Sequence, residues 1–196
     1  MSTTSMNISL PEELKDYVET QTKSGYGTPS EFVRELIRAG QKRRATERLD
    51  ALLLEGLDSG EPIPVNAKFW AQARSSLQTG SPQEIQEMTD PVTQRSRARL
   101  DLLEQFVYFG EEAGVAVAER YFAAVDESCR LLVKPSKSGT RSDSSVTRLE
   151  GMRRFPVRGF DNYLILKLPR RGGIDVIRVL HGARDIDNIF VDEENG

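Results

Sequence analysis

Residues 46–77, TERLDALLLEGLDSGEPIPVNAKFWAQARSSL, hold two apolar runs that cannot close a core on each other. The first sets Leu49, Leu52, Leu53, Leu54 and Leu57 at helical spacing among Glu47, Arg48, Asp50 and Glu55. Gly56, Gly60, Pro62 and Pro64 are read as its breaks, and a second short run comes after them with Phe69, Trp70, Ala73 and Leu77. Two faces joined by a Pro-rich strap bury too little by themselves. They suit a chain laid on another body, as an amphipathic helix lies in a groove, with Phe69 and Trp70 as aromatic anchors. Periodicity alone leaves the other reading open, in which both helices pack inside one ordinary domain. The flanking sequence decides between them.

Upstream, Met6, Ile8 and Leu10 alternate with Ser5, Asn7 and Ser9, the period of a strand with one polar face. Pro11 stops it and opens a helix with Glu12 and Glu13 in the first turn and Leu14, Tyr17 and Val18 as its buried stripe. Thr28-Pro29-Ser30-Glu31 is a second helix start, with Thr28 as N-cap. That helix is expected to bury Phe32, Val33, Leu36 and Ile37, and to leave Arg34, Arg38, Lys42, Arg43 and Arg44 as a solvated face. One strand and two helices supply about half a core and leave both strand edges bare. The expectation for residues 1–45 is therefore an intertwined homodimer, its two strands paired as a ribbon. A polar ribbon of that width fits a DNA major groove.

The residues MNISLPEELKDYVE and GTPSEFVRELIRAG resemble a ribbon-helix-helix antitoxin of the ParD type, and PIPVNAKFW resembles the tail of those antitoxins. The resemblance implies operator DNA read by Ser5, Asn7 and Ser9, with Thr28 and Ser30 holding a phosphate. It also makes residues 46–77 a toxin-neutralising segment, acting through Leu49, Leu52, Leu53, Leu57, Phe69 and Trp70.

Downstream, residues 78–94 have two prolines and many Ser, Thr and Gln, which reads as a linker. Some 15 extended residues reach roughly 50 Å, enough for residues 46–77 to fold back onto the C-terminal part of the chain. From residue 95 the pattern is helical twice. Leu100, Leu103, Phe106 and Val107 form one stripe, and Ala118, Tyr121, Phe122, Val125, Cys129 and Leu132 the next, with Gly114 between. The period then changes to two, at Arg153, Phe155 and Val157, and at Tyr163, Ile165 and Lys167. Leu164, Leu166 and Leu168 make the second of these strands apolar on most positions, as a central strand is. Pro169 to Gly173 is a hairpin loop before Ile174, Val176, Ile177, Val179 and Leu180. A helical hairpin followed by an antiparallel meander is an α+β domain.

The run MRRFPVRGFDNYLILKLPRRGGIDVIRVLHGARDIDNIF and the two helices before it resemble a ParE toxin of the RelE/ParE superfamily, over residues 95–196. PVTQRSR is a poor version of the apolar strand with which that family opens. The resemblance implies a protein that binds and blocks DNA gyrase, and no catalytic residue, metal or cofactor. The superfamily's other branch cleaves ribosome-bound mRNA, for which Arg153, Arg154, Arg158, Tyr163, Arg178 and the single histidine, His181, are candidates. His181 is read first as a structural residue at the Gly182 turn. The basic side chains are read first as a docking surface for Asp50, Glu55, Asp58 and Glu61.

The bulk composition agrees with a cytoplasmic protein. The net charge is −3 with 29% charged residues, so contact with nucleic acid has to come from local patches. Cys129 is the only cysteine, which excludes an internal disulfide and suits a reducing compartment. No apolar run approaches the ~20 residues of a membrane span, and no membrane contact is expected. The whole reads as one chain carrying an antitoxin followed by its toxin.

Overall fold

The structure is a computed structural model and describes residues 6–25, 27–65, 91–134, 137–142 and 144–185. Ser5, Phe69, Trp70, most of residues 78–94 and the tail after residue 185 lie outside the described residues. The chain divides into two compact units, Met1–Arg44 and Ala45–Gly196.

In the first unit, residues 6–10 have no regular secondary structure, and α1 comes next at Glu12–Ser24. The strand expected around Met6, Ile8 and Leu10 does not form within this one chain. A strand is held by ladder hydrogen bonds, and among the described residues none pairs with it. Helix α2, Pro29–Asp58, starts at Thr28, whose Oγ1 accepts the Glu31 N–H at 3.2 Å. Phe32 is buried with the Tyr17 ring edge-on to it at 6.1 Å. Leu14, Tyr17, Leu36 and Ile37, expected inside, are exposed here together with Met6, Ile8 and Leu10.

Helix α2 corrects a second expectation. Gly56 does not break it; the helix runs through Gly40 and Gly56 to Asp58. A glycine inside a helix costs only about 1 kcal/mol, less than the packing of a leucine stripe supplies.

The second unit is built on a six-stranded sheet in the order β1-β2-β6-β5-β4-β3. Its strands are β1 (Ile63–Pro64), β2 (Val92–Gln94), β3 (Thr140–Arg141), β4 (Arg153–Val157), β5 (Phe160–Arg170) and β6 (Gly173–His181). Strands β4 to β6 are the expected antiparallel meander, and β3, from a stretch expected to be a loop, adds to its edge. The sheet as a whole is mixed, because β2 pairs parallel with β6 while β1 runs antiparallel to β2. Residues 92–94, at the end of the stretch read as a linker, are thus an inner strand with all three side chains buried. Between β2 and β3 stand α3 (Ser96–Ala113) and α4 (Val115–Leu131), a hairpin turning at Gly114 with φ +88°. A 3-10 turn at Thr147–Leu149 precedes β4, and a short α5, Gly182–Asp185, succeeds β6.

Each face of the sheet carries its own core. On one face α3 and α4 pack Ala98, Leu102, Tyr121, Phe122, Val125 and Cys129 against Tyr163, Ile165, Ile174, Val176 and Val179. On the other face Leu49 and Leu53 of α2 join Leu149, Met152, Leu164, Leu166, Ile177 and Leu180. The helical face also takes in two groups that resist burial in charged form. Cys129 is fully buried and its thiol is pushed up to about 12, so it is an inert packing residue. Lys167 is 0% exposed, and burial brings its ammonium down to about 8 from 10.5.

That depression sets a pH dependence. Between about 8 and 10.5 the unfolded chain holds a proton on Lys167 that the folded chain has released, so this group by itself makes stability rise with pH across that window. Cys129 acts in the opposite sense above about 9, because its thiol is raised to about 12, and so do Tyr121 and Tyr163 above 10, so the net rise is confined to about pH 8–9. Urea unfolding between pH 8 and 9 should show the rise in the native chain and a flatter profile in Lys167→Met; identical slopes would contradict this assignment.

Candidate functional site

The seat of the C-terminal half of α2 on the sheet brings together a leucine stripe and several arginines. It begins with an irregularity in β6. Leu166 pairs with Arg178 and Lys167 with Val176, so Ile177 is an extra residue, a β-bulge. The bulge brings Ile177 and Arg178, neighbours in sequence, to the side where α2 lies. Ile177 joins Leu49 and Leu53 in the apolar core, and Arg178 reaches the backbone of α2.

Arg178 is 2% exposed, and each nitrogen of its guanidinium has a partner. Nε and Nη2 donate to the two oxygens of Asp101 at 2.7 and 3.0 Å, a bidentate fork. Nη1 donates to the Leu52 carbonyl at 2.9 Å and to Glu55 Oε2 at 3.2 Å, both on α2. Asp101 also accepts the Val179 N–H at 3.1 Å, and Gln105 donates to the Val179 carbonyl at 2.6 Å. One turn of α3 therefore satisfies the edge of β6 just past the end of β2. Tyr121 donates in turn to Gln105. Burial pushes the Asp101 carboxyl above its ordinary value, and the Arg178 hydrogen bonds pull the other way. Removing either partner of such a buried pair strands the other, at a cost of about 3–5 kcal/mol.

Three more arginines hold the end of α2. Arg95 bridges Asp175 at 2.9 Å and the Gly60 and Leu57 carbonyls at 2.9 and 3.3 Å. A cation at a helix C-terminus meets the negative end of the dipole and the unpaired carbonyls there. Arg97 pairs with Glu55 at 3.1 Å and with Glu104 at 3.0 Å. Arg148 donates to both carboxylate oxygens of Asp58 and holds that carboxyl below its usual range. Ser59 completes the join: its hydroxyl donates to the Gly56 carbonyl at 2.7 Å and accepts the Arg97 N–H at 3.0 Å. The first turn of α3 is thereby capped from the α2 side, since its own N-cap, Arg95, provides no side-chain cap.

The strap after α2 enters the sheet. Ile63 and Pro64 pair with Gln94 and Thr93, and Val65 N–H donates to the Val92 carbonyl at 2.9 Å. Of the leucines expected to make neutralising contacts, Leu49 and Leu53 are buried in this seat, and Leu52 and Leu57 are partly buried against it; Leu54, outside that expected set, is partly buried there too. Among the acidic residues, Glu55 and Asp58 meet arginines there, while Asp50 Oδ1 is buried without a hydrogen bond. The arginines that do the holding are Arg95, Arg97, Arg148 and Arg178. The sequence pattern points only to the last. Arg95 and Arg97 escape it because they adjoin a stretch that reads as linker.

The other candidate residues make none of these contacts. Asn7, Ser9, Thr28 and Ser30 are exposed in the first unit, and the Ser30 carbonyl accepts Arg34 Nε at 3.1 Å. His181 stands edge-on to Tyr163 with ring centroids 4.8 Å apart, and its Nδ1 accepts the Arg184 N–H at 3.1 Å. Its own N–H donates to Asp185 at 2.8 Å, which ties the turn at Gly182. Among the described residues no group of His, Cys, Asp and Glu has the arrangement of a metal site, and no helix is long and apolar enough to cross a membrane.

Residues 92–186 match the family model described as ParE toxin of type II toxin-antitoxin system, parDE. A separate 57-residue stretch, 28% of the chain, is 51% identical to antitoxin ParD4 of Caulobacter vibrioides. That alignment covers 59% of the antitoxin's own length, so the chain spans only part of this relative. Residues 92–186 are a ParE toxin domain, joined in one chain to an N-terminal part similar to the ParD4 antitoxin, and the chain is a fused ParD–ParE protein of a type II toxin–antitoxin system.

Proposed function

We propose that the fusion is a self-neutralised pair whose remaining activity is operator binding and repression of its own gene. The observation that carries this reading is the seat: a helix from the antitoxin side packs Leu49 and Leu53 into the apolar core on one face of the toxin sheet and is held by four arginines. Residues 46–77 are the neutralising segment in this reading, and the ParE half is a gyrase-blocking protein without catalytic chemistry. Tethering keeps the antitoxin segment at about millimolar effective concentration, so the seat is refilled faster than a target can enter it.

The first unit supplies the DNA-binding part. Its exposed Met6, Ile8, Leu10, Leu14, Tyr17, Leu36 and Ile37 await a cover. At about 1.5–3 kcal/mol for each side chain fully buried, a second copy gains on the order of 10 kcal/mol by covering them. In that homodimer the two N-terminal segments pair as a ribbon, with Ser5, Asn7 and Ser9 toward the bases and Thr28 and Ser30 at phosphates. Proteolysis between residues 78 and 90 does not free the toxin in this reading, because the contacts of the seat do not depend on the covalent tether and lie outside the cut.

Three measurements test it. With a protease site placed between residues 78 and 90, the cut halves should elute together in gel filtration at micromolar concentration; separate peaks would end the neutralisation reading. The intact chain should sediment as a dimer and shift DNA from upstream of its gene. Asn7→Ala should weaken that shift about tenfold, and added salt should weaken it further. A monomer that leaves the DNA unshifted at moderate salt would remove the repressor reading. Finally, Leu53→Asp in the full chain should unseat α2, arrest growth and inhibit gyrase supercoiling. A folded Leu53→Asp chain that leaves growth and supercoiling untouched would rule out an active gyrase inhibitor.

A further inference from the structure

Gly56 lies at the closest approach of α2 to the sheet. A Cβ built on it would sit 2.7 Å from the Ile177 carbonyl oxygen, 2.8 Å from Ile177 Cγ2 and 2.9 Å from Arg178 Cδ. Two of these neighbours belong to Ile177, the bulged residue of an inner strand, and one is its backbone. Backbone in an inner strand cannot yield cheaply, so the helix would have to lift. The contacts on either side would lift with it: the Leu52 carbonyl and Glu55 on Arg178, and Ser59 on the Arg97 N–H.

We propose that Gly56 is the residue that decides which helix the toxin domain accepts. The bulge at Ile177 is a bump on the sheet and the missing side chain at Gly56 is its matching notch. A helix with the same leucine stripe and the same acidic residues, but any side chain at this position, is rejected. The inference rests on the reading of α2 as the neutralising helix, yet it can fail independently of it.

Helix propensity gives the test its sign. In an ordinary helix position, Gly→Ala stabilises by lowering the entropy of the unfolded chain. Gly110 of α3 is such a position, because a Cβ there meets nothing within 4 Å. Gly110→Ala should therefore raise the melting temperature of the intact fusion, whereas Gly56→Ala should lower it. Gly56→Ala should also speed amide hydrogen exchange across residues 49–58 by roughly ten- to a hundredfold, the scale of an overpacked contact. A melting temperature raised by Gly56→Ala, or exchange unchanged across α2, overturns the proposal whatever the cut halves do. Selection is read with a labelled peptide of residues 45–65 added to the Gly56→Leu chain, whose own helix is displaced. The native peptide should bind and its Gly56→Ala twin should bind at least about tenfold more weakly. Equal binding of the two peptides would show that Gly56 has no part in selection. Should Gly56→Leu not fold, the melting and exchange measurements on Gly56→Ala decide the matter.

Discussion

The β5–β6 pair is apolar on both of its faces, and that constraint shapes the whole second unit. Tyr163, Ile165, Val176 and Val179 face one way, and Leu164, Leu166, Ile177 and Leu180 the other. A sheet of this kind has to be covered twice. The toxin domain's own hairpin, α3 and α4, covers only one face. The second is closed by the C-terminal half of α2, contributed from the antitoxin side of the chain. Leu49 and Leu53 are buried there because they complete a core that the toxin domain leaves unfinished.

Apolar burial and the arginine contacts divide the work. The leucines supply the larger energy, about 1.5–3 kcal/mol for each side chain removed from water. The arginines add geometry. Arg178, locked to Asp101, offers one hydrogen bond to the Leu52 carbonyl, and Arg95, locked to Asp175, offers others at Leu57 and Gly60. Each is pre-oriented by a carboxylate of the toxin domain, so little freedom is lost when α2 arrives. A fixed donor at a fixed depth sets both the height and the phase of the helix, which a greasy groove alone would not.

Much of this is legible in the amino-acid order. The change from period 3.6 to period two locates the helical hairpin and the meander, because side chains that alternate in sequence alternate in space. The leucine stripe of α2 is legible for the same reason, as is its inability to form a finished structure alone. Three features are not. Strand β2 is three residues long, too short for any period, and it exists because β6, some 80 residues away, offers an edge. The bulge at Ile177 is a mismatch between two strands, and neither strand records it alone. Gly56 reads as a helix breaker because glycine is one in isolation.

What the amino-acid sequence determined by itself is the local order: where helices and strands arise, which faces are apolar, and that the chain joins a ParD-like part to a ParE domain. These rest on periodicities of a few residues and on short motifs, both written in the chain. What only the tertiary structure decided is where α2 comes to rest and why a glycine is there. That answer depends on an extra residue in a strand more than a hundred positions away, and on four arginines that become neighbours only after the sheet has formed. Contacts between distant residues leave no period to read, so their physics appears only when the chain has folded.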